Sequence, residues 1–144
     1  MNPFLLVHLI CVGIWLGCIL TEALFERALL GQGRQQEKIL VGLHQRVDLF
    51  VEIPAFVLVL VTGALMLSDT ATSKLLDIKV GLGLLAILAN LYCVGLVFRR
   101  TKAVRTGHWS EFQRLDHLQH KWGAVVLLAL LGALGLGVYI FVQP

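Results

Sequence analysis

The chain has 144 residues, 58% of them hydrophobic and only 15% charged, with a mean hydropathy of +0.83. That is far more apolar than a soluble core of this size requires, so the composition points to an integral membrane protein and excludes a soluble nucleic-acid binder. The formal net charge of +3 comes from basic residues crowded into particular loops, where it bears on topology.

The first apolar segment runs from Asn2 to about Leu30. It lacks a basic leader and carries Glu22 and Glu26, which is unlike a cleavable signal peptide. Gly31 and Gly33 fit its end. The second segment spans about Val47 to Leu67, the third about Leu76 to Phe98, and the fourth Trp122 to Val142. Each is about 20 residues or longer, enough to cross about 30 Å of hydrocarbon. SEFQRLDHLQHK has helical spacing, so the fourth helix is expected to start near Trp109 and project beyond the bilayer. Cys11, Cys18 and Cys93 all lie in apolar runs without a CxxC spacing, which argues against a disulfide framework or a c-type haem attachment.

The loops differ in charge. The first holds Arg34 and Lys38, and the third, RRTKAVRTGHWSEFQRLDHLQHK, is the most basic piece of the chain. The second, SDTATSK, is nearly neutral. The positive-inside rule makes the first and third loops cytoplasmic. The expected fold is therefore all-α: one integral membrane four-helix bundle over residues 1–144, N-out and C-out, with its fourth helix extended into the cytoplasm. The setting expected is a bacterial-type inner (cytoplasmic) membrane crossed several times.

Within LHQRVDLFVEIP, residues His44, Asp48 and Glu52 recur every fourth position and share a helix face. Folding the first hairpin about Arg34 brings Glu26 level with about Gly42 to His44, and Glu22 level with about Arg46 to Asp48. In the fourth helix Asp116 and His120 share a face, and His117 and His120 are three apart. Glu22, Glu26, His44, Asp48, Asp116, His117 and His120 thus belong to one end of the bundle, with Glu52 about one turn deeper.

This constellation admits three readings. Arg27, Arg46, Arg99, Arg100, Arg114 and Lys121 could neutralise the acids, leaving an accessory subunit ordered by an ion-pair network. Carboxylates and imidazoles on facing helices are also what zinc, iron or manganese require. The third reading is b-type haem, with His44 facing His117 or His120 and with Arg99 or Arg100 near the propionates. His8 is separate: it enters the membrane near the opposite end, where Lys79 is its natural company. An ionisable residue inside a membrane marks a candidate site.

The order HLICVGIWLG, ALFER, EIPAFVLVLVTGALML, LLDIKVGLGL and NLYC resembles the HemJ-type protoporphyrinogen IX oxidases and the related CopD-like membrane domains. His8, Trp15 and Gly17 match the family's first-helix pattern, Pro54 and Gly63 the second, and Lys79 the start of the third. The resemblance covers about the first two thirds of the chain. It implies a four-helix bundle binding haem b, with His8 as a haem-binding or catalytic group and Lys79 as a second catalytic group. It further implies tetrapyrrole oxidation or electron transfer to a respiratory carrier or quinone, and leaves room for a homo-oligomer. The family's third-helix His is replaced by Ala89-Asn90, and its Pro-containing fourth-helix opening by DHLQHKWGAVV. The chain thus reads as a divergent relative with a site of its own.

Overall fold

The computed structural model describes residues 2–68 and 70–143. Met1, Pro144 and Asp69, the last in the second loop, lie outside them. Among the described residues there are four long helices and no strand, and all four are long and apolar enough to cross a membrane. The protein is a multi-pass membrane bundle.

The first helix is Pro3–Leu29. Pro3 sits at its first position, where no N–H is needed, and Asn2 Oδ1 accepts from the Phe4 N–H at 2.9 Å. Gly31 and Gly33 take φ of 76° and 119° and reverse the chain. The second helix, Arg34–Leu67, begins well before the apolar run that signals it in the sequence. Its first 14 residues, Arg34–Val47, are amphipathic, and hydropathy does not distinguish them from a loop. It also carries a widened π turn over Asp48–Glu52, where the Ile53 N–H reaches the Asp48 carbonyl. Pro54 explains that turn. In a regular helix its ring would clash with the carbonyl four residues back, and it has no N–H to offer.

The third helix, Lys74–Arg105, is capped by Ser73, whose Oγ accepts from the Leu76 N–H at 3.2 Å. It continues past Phe98, so the basic run RRTKAVR is helical rather than loop. The fourth, Trp109–Val142, starts where the spacing puts it. The Arg34 guanidinium lies over the Trp109 ring, 5.0 Å from its centroid, so the first and third loops meet at one end.

The core forms around Trp15 and Phe56, whose rings stand 5.7 Å apart, with Ala86, Ile87, Val126 and Leu130. Many large apolar residues face outward, including Phe50, Leu88 and Leu128 at 77%, 66% and 70% exposure. Lipid is the solvent that makes such a surface stable, and helix association inside it then rests on close packing. Two glycines serve that packing directly. A Cβ at Gly63 would lie 3.3 Å from the His8 ring, and one at Gly137 would lie 3.0 Å from Lys79 Cε. The first helix packs chiefly on the second and the fourth chiefly on the third, while the first and fourth touch little.

Candidate metal centre

The first hairpin carries the acids and His44 to the same depth. His44 is buried, with Nδ1 3.1 Å from Glu26 Oε1 and Nε2 3.2 Å from Glu22 Oε2. Its Nε2 is also 3.9 Å from Asp48 Oδ1, one turn along its own helix. The stripe therefore points inward, as the cost of charge in hydrocarbon requires. Asp48 and Glu52 are both buried, four residues apart on the same helix, so their carboxyls act on each other electrostatically. Glu52 also accepts from Asn90 Nδ2 at 3.0 Å, and Asn90 Oδ1 in turn accepts from the Trp15 indole at 3.3 Å.

Arg100 is 1% exposed and anchors the other side. Its guanidinium lies 2.9 Å from Glu26 Oε1 and 3.1 Å from Asp116 Oδ1, and it donates to Gln119 Oε1. With the Gln119 carbonyl held by Arg100, the Gln119 amide NH2 is turned toward the His44 ring, 3.1 Å from Nε2 and 3.4 Å from Nδ1. At nearly equal distances from two nitrogens of one ring, the NH2 lies against the ring rather than in line with either lone pair, so it does not select a tautomer. His44 therefore stands between acceptors on both sides, Glu26 at Nδ1 and Glu22 with Asp48 at Nε2. A doubly protonated imidazolium satisfies both sides, and a cation bound at Nε2 would take the place of the proton there.

Charge balance makes the same point. Glu22, Glu26, Asp48, Glu52 and Asp116 face Arg100 as their permanent cation, and Arg100 engages only Glu26 and Asp116. Glu22 Oε1 and Asp48 Oδ2 are buried without a hydrogen-bond partner among the described residues. Ligand atoms of Glu22, His44 and Asp48 all lie within 4.8 Å of one another, as do those of Glu26, Asp116 and His120. A cavity of about 510 Å³ opens beside them, lined by Glu22, Glu26, His44, Asp48, Glu52, Asn90, Gln119 and His120 among others.

Two sequence candidates stand apart. His117 is exposed and makes no contact with the cluster, because the inward face of the fourth helix is set by Asp116, Gln119 and Gly123. Arg99 is exposed and lies 3.8 Å from Glu111, outside the cluster. His120 sits at the rim, with Nδ1 2.9 Å from the Asp116 carbonyl and Nε2 3.9 Å from Glu26. Of the six cations able by position to neutralise the acids, Arg100 is the one the fold buries among them, and Arg114 pairs instead with Glu111 at 2.8 Å. Gln119 gives no signal in the sequence, since a neutral amide carries no charge.

At the other end, His8 Nδ1 lies 2.9 Å from Thr62 Oγ1, and Lys79 is near enough to act on it electrostatically. Both are far along their helices from His44.

The donor set suits some groups and not others. For a bis-imidazole haem between His44 and His117 the geometry offers no support, since both His44 nitrogens lie against carboxylates and His117 is exposed away from them, while His120 sits at the rim near Glu26. One imidazole with several carboxylate oxygens suits zinc, iron or manganese. Comparison with family models, curated proteins and solved structures returned no match for this chain.

Proposed function

We propose that the protein is a membrane metal-binding protein whose centre is Glu22, His44 and Asp48, taking a transition-metal cation of the zinc, iron or manganese class. The single observation that carries this reading is the orientation of His44. Glu26 accepts its Nδ1 proton, Arg100 steadies Glu26, and Nε2 is left facing Glu22 and Asp48. Metal-ligating histidines are oriented by such a carboxylate on their other nitrogen. Cation binding at Nε2 takes the place of the proton there and gives the Glu22 and Asp48 oxygens a shared partner. Three protein ligands leave further coordination positions open, as in catalytic rather than closed structural sites. Iron or manganese there would support the redox role expected from the HemJ/CopD resemblance. Zinc would supply Lewis-acid chemistry instead.

The Arg100 pairs with Glu26 and Asp116 support a structural role for that half of the network, and they act as the scaffold of the site. The charge contrast between loops supports an orientation in which the site lies toward the cytoplasmic face of a bacterial-type inner membrane.

The test is calorimetric titration of Zn²⁺ and Mn²⁺ into chelator-treated protein in detergent. Wild type should bind, and His44→Gln and Asp48→Asn should each lose at least about tenfold in affinity. Equal binding by all three proteins rejects this centre.

A further inference from the structure

The cavity beside the candidate centre is not closed by protein on all sides. Its floor is polar, and the apolar part of its lining lies on the first and fourth helices, which touch little. Ile19 and Ala23 line one side and Gly123, Ala124 and Leu127 the other, with exposed Arg27 and His120 flanking the opening nearer the helix ends. Ala23 and Ala124 are both exposed, and Gly123 has open space where a side chain would be. These positions fall in the apolar parts of their helices. Ala23 lies inside the end of the first helix by about 9 Å at 1.5 Å per residue, and Ala124 lies just past the point where the fourth turns apolar. A molecule passing between these two sides comes from the lipid and arrives headfirst at Glu22, His44 and Asp48.

We propose that this cavity is a substrate site for a membrane-soluble amphiphile whose oxygen-bearing head binds the metal while its apolar chain lies between the first and fourth helices. The inference rests on the metal reading above. Three observations combine to define the ligand class. The open coordination positions call for a donor from outside the protein. The acid-rich floor makes a metal-bound oxygen more favourable than a free anion. The apolar sides bury a chain that a water-borne ligand would not have. Their small side chains set the width of the entrance.

The experiment uses Co²⁺ as a spectroscopic probe in the full-length protein in detergent. Acetohydroxamate and decanohydroxamate share one metal-binding head and differ only in chain length. Both are titrated against the Co²⁺ absorption bands. Decanohydroxamate should perturb the bands at a concentration at least about tenfold lower than acetohydroxamate, since burying each methylene strengthens binding. Ala124→Phe narrows the entrance and should abolish that preference, each variant's own Co²⁺ spectrum serving as baseline. Leu128→Phe, on the outward face and outside the cavity lining, should keep it. If Co²⁺ binds but the two hydroxamates act equally, the lipid-facing substrate site is wrong and the metal centre stands. The site is equally wrong if both Phe variants retain the preference, because chain partitioning into detergent then accounts for it. Absence of Co²⁺ bands in wild type overturns the metal centre, and the substrate site with it.

Discussion

Gln119 spans Arg100 and His44, accepting from the guanidinium through its carbonyl and presenting its NH2 to His44 Nε2 at 3.1 Å. This bridge couples the fixed cation of the bundle to the imidazole that faces Glu22 and Asp48. Replacing it with Leu removes a polar neighbour of the ring that is not a ligand of the centre. Gln119→Leu should therefore bind Mn²⁺ at least as tightly as wild type, measured by electron paramagnetic resonance of the free ion. Weaker binding would show that Gln119 is itself a ligand.

Glu26 acts through His44. Glu26→Gln keeps the size of the side chain but removes the carboxylate that accepts from Nδ1 and pairs with Arg100. Zinc affinity should fall about 10- to 100-fold, the usual effect of losing a carboxylate behind a metal-bound His. Calorimetry at several pH values adds a sign. The ligands must shed protons to bind, so affinity should rise with pH in wild type.

The two neighbouring arginines should behave oppositely. Arg100→Met removes the buried cation that pairs with Glu26 and half-buried Asp116, and truncating one partner of a buried pair costs about 3–5 kcal/mol. Its melting temperature in detergent, followed by intrinsic tryptophan fluorescence, should drop by many degrees. Arg99→Met, at an exposed pair with Glu111, should melt like wild type.

Asn90 joins Trp15 to Glu52 within the core. Asn90→Leu fits the apolar surroundings but leaves a buried indole N–H and a carboxylate oxygen unsatisfied, each worth about 1–3 kcal/mol. The same thermal assay should find it destabilised. Adding Glu52→Gln to the Asn90→Leu variant should recover part of the loss.

Orientation has its own check. In a background free of the native cysteines, Thr72→Cys should react with a membrane-impermeant maleimide in intact cells and Thr106→Cys should not. The reverse pattern would invert the topology and move the site to the other compartment.

The helices and most of the site are legible in the sequence because both depend on signals that survive averaging. Apolar runs mark spans, and the fourfold spacing of His44, Asp48 and Glu52 marks a face. Folding about Arg34 pairs His44 with Glu26, as the 3.1 Å contact bears out. The parts that escape depend on rotation about a helix axis. Arg99 and Arg100 are about 100° apart, so one is buried and the other exposed, and composition does not distinguish them. A stripe does so: Asn90, Cys93, Val97 and Arg100 recur at helical spacing. His117 draws attention by its residue type, while Gln119 on the inward face does not. The amphipathic start of the second helix escapes because its hydropathy resembles that of a loop.

Whether Glu22, His44 and Asp48 hold a transition metal is decided by the contents of the protein as isolated. The chain is purified without added metal, its visible absorption spectrum is recorded, and the same sample is analysed for its elements. The expected result is about one zinc, iron or manganese ion per chain, no Soret band, and loss of that metal in His44→Gln. A Soret band would overturn the metal centre in favour of haem. A folded protein free of both metal and haem, and unable to take up added Zn²⁺ or Mn²⁺, would overturn it in favour of a purely structural network of ion pairs and shared protons.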